Sequence, residues 1–373
     1  MANDPAYRTA SRDNFPAMIE IPRYFQRSSD FEEIIARTEE HFWNPEDPDY
    51  IDLKSARPKD LDVLPEDFIV EANTAVWDRL DGGQRRQFVD DVSCWFISNL
   101  LHGEQGALSL SASLCEIFLD PGAQEYAANQ VREEARHVHA FTLYMKSRFD
   151  GNVFPVGDTI RDLLCDIVSS EQVYKKIIGM QMLIEGLAMG SFTSLYSRSL
   201  DPTLRRLCQL IMTDEAFHHR FGKIWAHSVL PDLNAEEHAR VEDWALECFQ
   251  RLLFNLVNAQ QKRLIYPRYG LEWEWVRDAI AEAFNDGDRR RLMKQSTNVF
   301  RTLIKTLDQA GIITERTRAQ YGAWVDMDDL RREGDRLAGD DIADEGIEDL
   351  RQINATKRKI VHKLVSQARR DPR

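Results

Sequence analysis

The sequence predicts an all-α chain, on three observations. Period-two apolar alternation, the mark of a half-buried strand, is hardly present. Long segments carry apolar residues at helical spacing, separated by breaks such as Asp81-Gly82-Gly83 and Tyr266-Pro267-Arg268-Tyr269-Gly270. Between Leu101 and Phe221 one pattern is also written twice: a Glu, then thirty residues on a Glu-x-x-His. The copies are Glu104 with Glu134 and His137, and Glu185 with Glu215 and His218. In both, an Asp-Pro falls sixteen residues after the leading Glu, at Asp120-Pro121 and Asp201-Pro202, where Asp can cap and Pro can open a new helix.

Taken in order, residues 1 to 30 read as an irregular arm carrying Pro5, Pro16 and Pro22. Phe31 to Phe42 is a short helical pattern, and a Pro- and Asp-rich turn runs on through Pro65. Phe68 to Leu80 reads as a helix ending near Asp81-Gly82-Gly83. Gln84 to Leu119 reads as a long helix, Gly122 to Phe149 as its partner, Asp158 to Leu200 as a third long element open to a break, and Pro202 to Val229 as a fourth. Asn234 with Glu237 three residues later is a capping-box start for a helix to about Ile265. Glu272 to Phe284 and Arg289 to Ala310 follow, the last closed by Gly311. Glu345 to Arg370 is open to either a surface helix or a tail. The expected division is an N-terminal arm with flanking helices (1–83), a core (84–230) and further C-terminal helices (231–373), with a charged tail from about 322.

The chain of 373 residues can bury a substantial core. Its net charge of −14 argues against nucleic acid or an anionic membrane surface as partner. The first residues are polar and no long uncharged apolar run follows, so the expectation is a soluble cytoplasmic protein. The five cysteines (Cys94, Cys115, Cys165, Cys208, Cys248) are widely spaced, which suits buried thiols better than disulfides or a zinc site.

The repeated spacing has a mechanical meaning. A helix climbs roughly 24 Å from Glu104 to Asp120 and its partner returns about 20 Å to Glu134. The two carboxylates then end at similar heights on antiparallel neighbours, and the residues three apart in each Glu-x-x-His share a face. Two such hairpins packed together would converge four carboxylates and two imidazoles. A lone Glu-x-x-His is usually a solvated helix face. Here both copies agree, and Glu104 and Glu185 sit in apolar stripes (Phe96, Leu100, Ala107, Leu108; Ile178, Ala188, Phe192), where an unpaired carboxylate is costly. The set is hard, oxygen-rich and free of thiolate, which favours iron or manganese. Its four anions roughly neutralise two divalent ions, with positions left for dioxygen.

Glu104, Glu134-x-x-His137, Glu185 and Glu215-x-x-His218 resemble the ligand set of the ferritin-like di-iron carboxylate superfamily. It includes bacterial multicomponent hydroxylases, acyl-carrier-protein desaturases, the radical-bearing subunit of ribonucleotide reductase and p-aminobenzoate N-oxygenases. The resemblance implies a ferritin-like, ribonucleotide-reductase-like four-helix bundle core with added helices at both ends. It implies two iron ions, with a mixed manganese and iron pair left open, dioxygen as co-substrate, and an external electron donor such as a ferredoxin or a reductase. It further implies that Asp214 orients His137 and Glu133 orients His218, each fixing the tautomer of a metal-bound imidazole; for Glu133 the alternative is a helix-surface acid paired with Arg136. Phe42-Trp43-Asn44-Pro45-Glu46 is similar to a segment of the reductase subunit whose Trp relays electrons, so Trp43 is such a relay or a core anchor for the arm.

Departures separate the branches. Phe141 stands where the reductase subunit has its radical tyrosine, and no tyrosine follows Tyr321. Ile211 replaces the extra His ligand of the N-oxygenases, and Phe217 the second Arg of the desaturase pattern. A ferroxidase needs little beyond the core, whereas this chain adds long flanks. The expectation is therefore a dioxygen-activating oxygenase or oxidase that hydroxylates or N-oxygenates a small organic substrate beside Ala107, Phe141, Ala188 and Phe192. A reductase-subunit-like radical or ligand-binding oxidase and a ferroxidase are the alternatives, and a homodimer stays open. His102, His139 and His219 are expected at the surface or behind the ligands rather than among them.

Overall fold

In the computed structural model, which describes residues 5–370 apart from 39, 56–60, 256–257, 295–297, 335 and 338, the chain is all-helical. Among the described residues there is no β-strand, only an isolated bridge between Thr9 and Phe118. The arm carries two short helices, α1 (Phe15–Met18) and α2 (Glu32–Arg37). The helix expected over Phe68 to Leu80 is instead three 3-10 turns, Glu66–Phe68, Val70–Asn73 and Trp77–Arg79. Thr74 explains the difference: its hydroxyl donates to Glu71 O at 2.8 Å and accepts from Val76 N at 3.2 Å, offering the backbone a turn in place of a helix.

α3 (Gly82–Cys115) begins in a capping box, Asp81 accepting from Gln84 N while the Gln84 side chain accepts from Asp81 N. It stops short of Leu119 because the chain beyond it pairs with the arm, through Ala10 N to Ile117 O and Leu119 N to Arg8 O. Asp120 then caps α4 (Pro121–Phe149), accepting from Gly122 N at 2.7 Å. α5 (Asp158–Ser169) ends where Ser170 Oγ accepts from Gln172 N, which breaks the third long element. It resumes as α6 (Val173–Lys176), a π-helical segment (Ile177–Ile184) and α7 (Glu185–Arg198). Every residue of the π segment is buried, as an all-round apolar stretch requires. Asp201 caps α8 (Pro202–Val229), accepting from Thr203 N at 3.0 Å. Such caps are worth about 1 kcal/mol each.

The Asn234–Glu237 capping box forms as expected and starts α9 (Ala235–Asn255). Residues 256–257 lie outside the described part, and beyond them come 3-10 turns at Ala259–Lys262 and Tyr266–Tyr269 rather than helix to Ile265. α10 (Trp273–Ala283) follows. The helix expected over Arg289 to Ala310 is two, α11 (Asp286–Met293) and α12 (Val299–Gln309), each restarted by an Asn cap, Asn285 and Asn298; residues 295–297 between them are outside the described part. After α13 (Arg318–Gly322) and α14 (Met327–Arg332) the charged C-terminal stretch is not a loose tail but the long helix α15 (Asp340–Arg370).

α3 packs along α4, α7 along α8, α4 meets α8, and α3 touches the π segment, so these helices enclose a common interior. α15 lies along α8 and buries Ala343, Ile347 and Leu350. Two glycines set these approaches. A Cβ on Gly222 would stand 2.9 Å from Gln181 Cβ, and one on Gly346 would stand 2.7 Å from Thr213 Cγ2. Among the described residues no helix is long and apolar enough to cross a membrane.

Candidate metal centre

The six repeated residues meet in that interior. Glu104 comes from α3, Glu134 and His137 from α4, Glu185 from the start of α7, and Glu215 and His218 from α8, none more than 5 % exposed. They form two sets of four whose ligand atoms lie within 4.8 Å of one another: Glu104, Glu134, His137 and Glu215, and Glu134, Glu185, Glu215 and His218. Glu134 and Glu215 belong to both. His137 Nδ1 lies 3.1 Å from Glu104 Oε2, 3.4 Å from Glu134 Oε2 and 3.2 Å from Glu215 Oε1. His218 Nδ1 lies 3.1 Å from Glu134 Oε1 and 3.2 Å from Glu215 Oε2. Each shared carboxylate thus turns one oxygen toward each imidazole, the arrangement that bridges two cations.

The outer nitrogens are held by acids from the opposite hairpin, as the resemblance implied. His137 Nε2 is 2.8 Å from Asp214 Oδ2, and His218 Nε2 is 2.9 Å from Glu133 Oε2. Glu133 is buried, so the surface pairing with Arg136 does not form. Arg136 instead donates to Asp214 Oδ2 at 2.7 Å, joined there by Trp43 Nε1 at 2.9 Å. The fully buried Trp43 ring also stacks on His137, with centroids 6.1 Å apart and planes at 16°, so it serves both as core anchor and as a contact to the centre.

Other residues here escaped the sequence reading. His41 Nε2 lies 3.2 Å from Asp214 Oδ1 and 3.5 Å from Glu133 Oε1, its ring flat on Phe217. Gln130 Nε2 donates to Glu134 Oε1 at 3.0 Å and to Gln181 Oε1 at 3.1 Å. Gln130 precedes Glu134 by four residues, so helical spacing alone could have placed it on the ligand face; His41 lies beyond the end of α2, on no helix that carries a ligand, and has no such signal. His219 turns away to Thr306, His139 to Glu46 and His102 to Phe154 O.

Burial and the neighbouring carboxylates Glu215 and Glu134 push the Glu104 carboxyl up to about 8 against the pull of His137. The same causes raise Glu185 well above the usual range. Burial would strip the imidazoles of charge, but the hydrogen bonds that His137 donates to Asp214 and Glu104 hold it well above its ordinary value, and Glu215, Glu134 and Glu133 do the same for His218. Burial acts to raise Asp214 and Glu215 too; Arg136 and His137 hold Asp214 down, and His218 holds Glu215 well down. Glu133 is likewise lowered, with His218 and His41 outweighing burial and Asp214.

These residues fit a pair of divalent cations. Among the described residues, six buried carboxylates, including Glu133 and Asp214, have one guanidinium between them, Arg136 on Asp214, and a buried charge without a partner is costly. Glu134 Oε2 and Glu215 Oε1, one oxygen of each shared carboxylate, are buried and take part in no hydrogen bond. Protons on the imidazoles and on the raised Glu104 and Glu185 carboxyls supply the rest of the compensation, and cations would displace them.

A cavity of about 250 Å³ adjoins the centre and is lined by Glu104 and Glu185 together with apolar residues such as Phe96, Leu100, Met180 and Leu187. Ala107 and Ala188 line it as expected. Phe141 and Phe192 do not. Both are fully buried and pack against each other, centroids 6.2 Å apart, so their rings fill the core instead of bordering the open space. No protein-family model matches the chain, and no curated protein matches it.

Proposed function

We propose that the chain is a dioxygen-activating oxygenase or oxidase with a di-metal carboxylate centre in a ferritin-like four-helix core, acting on a small organic molecule. The observation that carries this reading is the cavity, whose lining includes Glu104 and Glu185, the unshared carboxylates of the two ligand sets. A molecule filling it lies against both. The oxygen-rich donor set favours a pair of iron ions, with a manganese and iron pair as the alternative. Two adjacent redox-active ions, when bound, supply two electrons together to dioxygen.

The chain's own residues prepare that chemistry. Asp214 and Glu133 hold the imidazoles with Nδ1 inward, and Gln130 restrains Glu134. The apolar walls exclude water from the reacting end of the substrate. One oxygen atom enters the substrate and the other leaves as water, with two protons from solvent and two electrons from an external donor, a ferredoxin or a reductase. The Trp43, Asp214 and His137 chain gives those electrons a route inward from the N-terminal segment. The same chain favours a second reading, a reductase-subunit-like radical or ligand-binding oxidase.

The test is to load the full chain with ferrous iron without oxygen, admit oxygen, and follow optical absorption with and without cavity-filling molecules. A transient band whose decay is hastened by such a molecule, with an oxygenated product, is the expected result. A persistent radical selects the second reading. Continued iron uptake with mineral formation contradicts both.

A further inference from the structure

Among the described residues, exposed apolar surface is concentrated in the arm. Phe15, Tyr24 and Phe25 are 65, 57 and 85 % exposed, and Ile19 and Ile21 between them are more than half exposed. The other large apolar residues left open, Phe42, Val153, Leu200, Phe254, Leu264 and Leu292, lie singly along the chain, as surface apolar residues normally do. Local geometry gathers the five in the arm. Phe15 and Ile19, four apart on α1 and its C-cap, share a face, while Ala17 and Met18 turn inward to Ala10 and Leu119. Ile21 and Tyr24 are three apart on the 3-10 turn Ile21–Phe25, where such residues eclipse, and Arg23 between them is buried. The strip is fastened with its apolar side outward. Arg23 donates to Met18 O at 3.2 Å, to Phe118 O at 3.3 Å and to Gln124 Oε1 at 2.5 Å, tying the arm to the start of α4. Pro16 and Pro22 fix φ in the first turn of each helical piece. To fold over its own exposed side chains the arm would have to break these bonds.

Charge and area point to what covers it. Glu20 and Arg23 are the only charges between residues 15 and 25, and the flanking arginines are already paired, Arg12 with Glu116 and Arg27 with Glu125. Little here recruits a charged partner, and a chain of net charge −14 is repelled by an anionic membrane. At the ~200 Å² that an aromatic side chain carries, the three rings leave about 400 Å² open, and Ile19 and Ile21 widen it. A stable interface takes about 800 Å² from each partner, with an apolar centre and a polar rim. The strip is large enough to be that centre. A two-fold dimer lays one patch on the same patch of its copy, so an almost uncharged apolar strip is matched by itself.

We infer that two copies of this chain associate through residues 15–25, arm against arm about a two-fold axis. The inference goes beyond the proposed function and does not depend on the metal centre. The test is sedimentation velocity of the full chain, wild type and an Ile21→Ser, Phe25→Ser double variant, with circular dichroism to check that the variant keeps its helical content. The wild type should dimerise at micromolar concentration. Its affinity should rise with salt, which screens the repulsion between two acidic chains. The double variant should associate about a hundredfold more weakly or worse, because each copy loses two apolar anchors. Wild type should also fail to bind fluorescently labelled variant, since both arms are needed. A wild type that stays monomeric at every concentration, or a dimer that salt dissociates, overturns the inference, and neither result relies on the variant. So do a double variant that dimerises with unchanged affinity and wild type that captures the labelled variant, which would seat the strip on another face. Monomeric wild type that binds phosphatidylcholine vesicles instead would assign the strip to a lipid surface and overturn it as well.

Discussion

Loading the centre at neutral pH should expel protons in a number that the site defines. In the metal-free chain His137 and His218 are raised well above their ordinary values, Glu104 is held at about 8, and Glu185 is raised well above its usual range. At ~pH 7 each therefore carries a proton that a cation must displace, because only neutral imidazole and carboxylate bind metal. Two divalent ions should release about four protons per chain, or about two per ion. By linkage, apparent affinity should fall about a hundredfold per ion for each unit of pH lost around neutrality. Above about 8, Glu104 is ionised beforehand and the release should drop by about one. Titration calorimetry with manganous or ferrous ion, in buffers of different ionisation enthalpy, reads the count directly. Release of about one proton or fewer, or an affinity indifferent to pH, would refute the charge assignment.

The same groups set the stability of the metal-free chain. Glu104 rises from an ordinary 4.5 to about 8, so its contribution is complete below 4.5 and lost as pH climbs to 8. His137, His218 and Glu185 share that direction, whereas the lowered Asp214 and Glu215 weaken the fold only as pH falls below their ordinary values. Scanning calorimetry should show the metal-free melting temperature falling across that window, and the loaded protein should not follow it. Because Glu134 is shared and Glu185 is not, Glu185→Ala should keep one ion per chain and Glu134→Ala should keep neither tightly; elemental analysis after gel filtration decides. Trp43→Phe retains a ring over His137 but removes the donor to Asp214. Denaturant unfolding should show a loss of about 2 kcal/mol, the worth of a hydrogen bond to a charged group, and metal affinity should fall about tenfold or more.

The six candidate ligands were legible because helical spacing carries their geometry. Thirty residues with an Asp-Pro between them define a hairpin, and two equal hairpins leave little freedom in where the carboxylates meet. Asp214 and Glu133 were accessible through the resemblance, since their partners lie across the bundle and no local spacing links them. Phe68 to Leu80 was misread because the Thr74 hydroxyl competes locally with an otherwise helical pattern. Phe141 and Phe192 follow the ligands by one or two turns, but helical spacing does not tell open space from filled core. His41 lies past the end of α2, far in sequence from the ligand helices, so nothing periodic announces it.

The central claim is that Glu134 and Glu215 join two cations in one buried site. Electron paramagnetic resonance of the manganous-loaded full chain, alongside metal analysis, tests it most directly. The account predicts two ions per chain with the spectrum of an exchange-coupled pair, converted by Glu185→Ala to that of a single isolated ion. Isolated-ion signals in the wild type, or a full complement that survives loss of Glu134, would contradict it.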